Sequence, residues 1–212
     1  LAGMQISLHD MGKRYNREWI FRHVSLQFAP GIAYAITGPN GSGKSTLLQV
    51  IAGAIQHNEG KIDYYAGPDE QSKVSADLVY HNIAIAAPYL DLVEEMTALE
   101  FLAFHAGFKK LTQDHGSILS ETGLSKAANK QIRYFSSGMK QRLKLAQAFF
   151  SDASVLLLDE PTSNLDEEGC NLYHHLLSRM AGGKLVIISS NDPEEYRICQ
   201  EVIPITRYKV ND

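Results

Sequence analysis

Two short stretches of this chain carry residue types suited to phosphate chemistry. "GPNGSGKST", Gly38 to Thr46, fits the pattern G-x-x-x-x-G-K-[ST]. Gly38, Gly41 and Gly43 let the loop turn at Pro39 and bring the backbone N–H groups of Asn40 and of Ser42 to Thr46 onto phosphate oxygens. The helix expected next presents its N-terminus to the same anion. Lys44 can reach the β- and γ-phosphates, and the Ser45 hydroxyl can ligate Mg²⁺. The second stretch, "VLLLDE", ends in Asp159 and Glu160. An acid at a strand tip can hold Mg²⁺ through water, because hard cations prefer oxygen ligands. The adjacent acid can orient or deprotonate an attacking water. Either stretch alone reads blandly, as a glycine-rich turn or as a solvated pair of acids. Together they form a phosphate cradle with a metal and water site.

The elements that must position these groups alternate between strand and helix. "MQISLHD" and "WIFRHVSLQFA" alternate apolar and polar residues and predict antiparallel strands. "GIAYAIT" is a continuous apolar run, as expected of a strand buried on both faces, and it feeds the glycine-rich loop. "LLQVIAGAI" predicts a helix, and "GKIDYYAG" and "LVYHNIAIAA" predict further strands. From about Pro88 to Ser151 the pattern turns helical, with "TALEFLAFHAGF" and "SSGMKQRLKLAQAFF" as the clearest segments. Thr97 and Glu100 fit a capping box. "SVLLLDE" and "KLVIISS" read as buried strands, "DEEGCNLYHHLLSRMA" as an amphipathic helix, "DPEEYRICQ" as a short helix and "EVIPIT" as a last strand. The alternation implies an α/β fold with a mainly parallel sheet, which binds ligands at the carboxyl ends of its strands.

Composition narrows the function classes. The 212 residues suit one large domain or one domain with an inserted lobe, and 44% hydrophobic residues suffice for a core. A net charge of −4 gives no basic field for nucleic acid, and Lys109 with Lys110 is too small a patch. Cys170 and Cys199 are too few for a disulfide framework or a zinc site. No apolar run approaches the ~18 residues of a membrane-spanning helix, and "LAGMQISLHD" does not read as a signal peptide. His81, His105, His115, His174 and His175 lack metal-ligand spacing and read as surface or interface histidines.

At this point the chain resembles the nucleotide-binding subunits of ATP-binding cassette (ABC) transporters over nearly its whole length. "GPNGSGKST" looks like the Walker A loop of that family, and "VLLLDEPTSNLD" like its Walker B strand and D-loop. "FSSGMKQR", Phe135 to Arg142, lies where the family places its signature, usually LSGGQ. A simple P-loop kinase would leave "FSSGMKQR" and "SNLD" unexplained. The resemblance implies a P-loop NTPase core with an antiparallel β subdomain and an inserted helical subdomain. Within a single domain 4–212, the core with its β subdomain would take 4–87 and 152–212, and the helical subdomain 88–151.

The resemblance also implies roles. Two subunits would close head-to-tail on two ATP molecules, each bound with Mg²⁺. Ser136, Ser137 and Gly138 would face the γ-phosphate held by the partner subunit, and Asp166 would cross the dimer interface. Ser137 replaces the usual first glycine and Met139 the usual Gln, while the segment by itself reads as a helix N-terminus with a Ser cap. Tyr15 lies where the family stacks an aromatic on adenine, with Trp19 as the rival residue. Two departures stand out. The Gln that usually precedes the helical lobe is replaced, near Tyr89, and the usual His of the last catalytic element is Asn191. Glu160, Lys44 and Asn191 are then the expected catalytic residues, with Ser45 and Asp159 on the metal. The chain is expected to act as the ATPase subunit of an exporter-type transporter, peripheral on the cytoplasmic face of the cell membrane beside a membrane-spanning subunit. The other reading is a soluble ABC ATPase that remodels a protein complex.

Overall fold

A computed structural model describes residues 3–67 and 72–210. Among the described residues nine strands form two sheets. The first is antiparallel, in the order β2–β1–β4–β5, from β1 (Gln5–Tyr15), β2 (Glu18–Phe28), β4 (Glu59–Tyr65) and β5 (Lys73–Val74). The second is parallel, in the order β6–β7–β8–β3–β9, from β3 (Ala33–Thr37), β6 (Ile83–Ala86), β7 (Val155–Asp159), β8 (Leu185–Ser189) and β9 (Glu201–Pro204). β3, β7 and β8 are adjacent or one strand apart, so their carboxyl ends deliver the glycine-rich loop, the acid pair and Asn191 to one rim.

β7 and β8 are buried along their full lengths, which is why each reads as an uninterrupted apolar run. Their two-residue period divides the core. Leu156, Leu158, Val186 and Ile188 face Phe149, Leu145 and Tyr173. Val155, Leu157, Leu185 and Ile187 face Leu47, Ile51 and the antiparallel sheet through Ile6 and Phe28. The helices are α1 (Lys44–Ile51), α2 (Ala98–Ala106), α3 (His115–Glu121), α4 (Ser137–Phe149) and α5 (Glu167–Met180). The capping box at the head of α2 is present: Thr97 Oγ1 accepts from the Glu100 N–H, and the Glu100 carboxylate accepts from the Thr97 N–H at 2.8 Å. Among the described residues no helix is long and apolar enough to cross a membrane.

Two local expectations fail. Only the second half of "LVYHNIAIAA" is a strand; Ala76–Asn82 is a 3-10 helix leading into β6. Val79 alone in that 3-10 helix is buried, so the run never forms a continuous apolar face. "DPEEYRICQ" forms turns over 193–198, not a helix. The turns are closed by the Glu195 N–H donating to Asp192 O and the Cys199 N–H to Tyr196 O, and the Gln200 N–H then donates to Ala33 O of β3.

Candidate functional site

The glycine-rich loop links β3 to α1. Its turn is closed by the Ser42 N–H donating to Pro39 O at 3.0 Å. Gly43 caps α1 with φ 100°, and a Cβ there would fall 2.5 Å from Ile20 Cγ2, so only glycine fits without strain. Lys44 opens α1, is 4% exposed, and donates from Nζ to Gly38 O at 2.7 Å and Pro39 O at 3.4 Å. The loop residues from Asn40 to Thr46, with Ile20 and Glu160, line a cavity of about 370 Å³. Its rim thus joins the loop amides, one buried ammonium and one carboxylate, which is the donor set expected for a phosphate ester and its hydrolysis.

Asp159 closes β7 and is 1% exposed. Burial pushes its pKa up, against the Ser45 hydroxyl, which favours the ionised form; the neighbouring Glu160 adds to the rise and Lys44 opposes it. Its Oδ1 is buried without a hydrogen-bond partner, as is Ser189 Oγ. A buried carboxylate with an orphaned oxygen beside a serine hydroxyl is an oxygen donor set that fits Mg²⁺. Glu160 follows with φ 42°, its N–H held by Ser189 O at 2.8 Å.

Asn191 lies beyond β8, exposed, and donates from Nδ2 to Asn40 Oδ1 at 2.8 Å. Asn40, Glu160, Thr162, Ser163 and Asn191 line a second cavity of about 260 Å³ contiguous with the first through Asn40 and Glu160. The expected grouping of Lys44, Ser45, Asp159, Glu160 and Asn191 is therefore present on one rim.

Ser136, Ser137, Gly138 and Asp166 sit elsewhere. With Gly123, Arg142 and Asn164 they line a separate cavity of about 280 Å³. Ser136 caps α4, its hydroxyl accepting from the Met139 N–H at 3.2 Å. Asp166 caps α5 through the Gly169 N–H at 2.9 Å and also takes Arg142 Nη2 at 2.8 Å. The Gly169 amide and then Arg142 hold its carboxyl below the usual range. Asp166 is thus engaged within its own chain, at the foot of the signature helix.

Tyr15 does not line the nucleotide-sized cavity. Its half-exposed ring at the end of β1 lies under Lys13 Nζ, 4.8 Å from the centroid. Trp19 is packed against Arg22 and Arg14, and Ile20 is the β2 residue that reaches the loop. The sequence gives Ile20 no distinguishing mark beyond strand periodicity. Tyr89 lies in the electrostatic reach of Asp159 and meets the side chain of Gln49. A glutamine does come to this position, from α1 and not from the segment before the helical lobe. Lys144 Nζ fixes that segment from α4, donating to Pro88 O at 2.9 Å. Ser189 and Glu195 also went unforeseen; Ser189 was visible only as part of the polar tip of "KLVIISS".

A family model described as ABC transporter matches residues 21–163. A Bacillus subtilis protein, an uncharacterized ABC transporter ATP-binding protein named YybJ, is 30% identical over 194 residues, covering 90% of this chain and 87% of its own. The Nod factor export ATP-binding protein I of Rhizobium etli is 30% identical over 204 residues, which cover 93% of this chain and 64% of that protein. In structure, the chain is similar to the dimeric bacterial ABC transporter cassette MJ0796, with a TM-score of 0.78, 24% identity and 94% of each chain covered.

Proposed function

The chain belongs to the ABC transporter family as an ATP-hydrolysing subunit, and from that premise we propose that it binds Mg-ATP in the cavity under Gly38–Thr46 and hydrolyses it with Glu160 as the general base. The observation that carries this reading is the convergence of Lys44, Ser45, Asp159 and Glu160 on one rim at the strand ends. Lys44 and the loop amides take the β- and γ-phosphate charge. Ser45 and Asp159 would hold Mg²⁺, which when bound neutralises charge on the same phosphates. Glu160 accepts a proton from water as the water oxygen bonds to the γ-phosphorus and the bond to the β–γ bridging oxygen breaks, that oxygen leaving with ADP; Asn191 offers a neutral N–H to the γ-phosphate.

The signature cavity of Ser136–Gly138 is separate from the phosphate cradle of its own chain, which favours a site completed by a second copy. Closure of two copies on ATP would drive a membrane-spanning partner, with this subunit on the cytoplasmic face and residues 88–151 as the helical lobe between them. Mg-ATP turnover of the wild type and of Glu160→Gln tests the proposal. Expected is a fall on the order of 100-fold or more with ATP affinity kept. Equal turnover would remove Glu160 from the mechanism.

A further inference from the structure

Glu160 sits on a strained turn. It has φ 42°, and Asn164, four residues on, has φ 64°. Non-glycine residues in this region are strained and persist only where the surroundings over-determine them. Here four hydrogen bonds do so. The Glu160 N–H donates to Ser189 O at 2.8 Å. Gln141 Nε2, from the buried face of α4, donates to Pro161 O at 2.8 Å. The Thr162 N–H donates to Glu195 Oε1 at 2.7 Å, and the Thr162 hydroxyl donates to the same oxygen.

Glu195 is unusual among these. It is a carboxylate only 4% exposed, in a segment of turns that is otherwise largely open to solvent. No salt bridge to Lys or Arg accounts for its burial among the described residues; Arg197 pairs instead with Glu194. Its position is itself fixed: its carbonyl accepts from the Tyr173 hydroxyl at 2.6 Å, and its N–H donates to Asp192 O at 3.1 Å. Asn191 is four residues upstream on the same segment, tied to Asn40 of the loop. Glu195 therefore joins the turn that carries Glu160 to the segment that carries Asn191. A buried carboxylate is costly to keep unless its hydrogen bonds are needed.

We propose that Glu195 is a positioning residue for hydrolysis. Acting as a hydrogen-bond acceptor on Thr162, it fixes the strained turn and so aims the Glu160 carboxylate, in register with Asn191. This rests on the reading of Glu160 as the base. Acceptor position, and not charge, is what the role needs, and substitutions separate the two. Glu195→Gln keeps an oxygen in place and loses the charge. Glu195→Asp keeps the charge and withdraws the acceptor by one methylene.

Steady-state kcat for Mg-ATP and the Kd of a fluorescent ATP analogue are measured for wild type, Glu195→Gln, Glu195→Asp, Glu195→Ala and Glu160→Gln. Expected are a kcat within about threefold of wild type for Gln, and losses of ~10- to 100-fold for Asp and Ala, with Kd changed less than about twofold. If Ala is insoluble, the contrast of Gln with Asp decides. A Gln variant as slow as Asp, or an Asp variant as fast as wild type, overturns the proposal; so does a Kd that weakens in proportion to kcat, which marks a general structural defect. Glu160→Gln separates the two levels. If it turns over normally, the reading of Glu160 fails. If it is slow while Asp at 195 is fast, only the positioning role fails.

Discussion

Asn191 stands where the family resemblance leads one to expect His, and its removal gives the sharpest quantitative test of the site. Its Nδ2 donates to Asn40 Oδ1 at 2.8 Å, and both side chains are exposed in the single chain. An amide has two N–H groups, so one is committed to the loop and one is free for a phosphate oxygen. A neutral, solvent-exposed hydrogen bond contributes about 0.5–1.5 kcal/mol. A preorganised donor in a water-excluded site contributes about 2.7–4 kcal/mol. The cavity shared by Asn40, Glu160 and Asn191 is open in one chain, which puts Asn191→Ala near the boundary of these ranges. The expected loss in kcat is about 10-fold, equivalent to about 1.4 kcal/mol in the barrier.

The loop contact adds a second measurable quantity. Asn40→Ala frees Asn191 from its anchor, so the two substitutions should not add. A double-mutant cycle on kcat should return a coupling of about 0.5–1.5 kcal/mol. Phosphate release in single-turnover and steady-state assays reads both effects. A kcat for Asn191→Ala within about twofold of wild type, or strict additivity with Asn40→Ala, would refute the placement of this amide on the phosphate. Asn191→His supplies a ring N–H instead and should match or exceed wild-type turnover, with a new pH dependence near an imidazole pKa of about 6.5.

The loop and the sheet offer two further tests. Gly43→Ala puts a Cβ 2.5 Å from Ile20 Cγ2 at φ 100°; ATP affinity by calorimetry should fall ~10-fold or more, and wild-type affinity would show that the loop tolerates the strain. Asp63 is buried, which alone would raise its pKa, but Lys61 and Lys73, at 2.8 and 2.6 Å, more than offset this and hold the pKa below 3.8. The stabilisation is complete above the ordinary carboxylate range and is lost as pH falls through the lowered value. Asp63→Asn should lower Tm at pH 7 by a margin that shrinks below about pH 4, and a margin that persists in acid would refute the linkage.

Chemistry concentrated in contiguous residues was legible in the sequence. The loop, the acid pair and the buried strands announce themselves because one segment supplies both the pattern and the function. Contacts between distant segments were not. Glu195 meets Thr162 across 33 positions, Gln141 meets Pro161 across 20, and Gln49 reaches Tyr89 from α1. Each is an ordinary polar residue in a polar context, and only the packed sheet gives it a partner. The turns over 193–198 were misread as helix for a related reason. "DPEEYRICQ" has helix-compatible residues, but the Glu195 side chain and the Glu195 carbonyl are both drawn inward to tertiary partners, Thr162 and Tyr173. Tertiary bonds outweighed local propensity there.

The two departures at Tyr89 and Asn191 share a property that bears on whether the site is competent. Both positions hold neutral groups here, a phenol at Tyr89 and an amide at Asn191, whereas an imidazole at 191 would titrate near neutral pH. Partial desolvation of the Tyr89 phenol, on a residue still 39% exposed, and then the nearby Asp159 push it up, so it keeps its proton near neutral pH. A protonated phenol donates one hydrogen bond and accepts another, and Gln49 lies against it. The position therefore holds a protonated phenol against Gln49 and within electrostatic reach of Asp159, on a stiffer side chain than glutamine. The charges that phosphoryl transfer depends on lie elsewhere: Lys44 at 4% exposure, Asp159 at 1% exposure, and Glu160 on its clamped turn. On the proposed mechanism these departures leave Lys44, Asp159 and Glu160 in place and change how charge is positioned, so hydrolysis at an altered rate is the expected outcome.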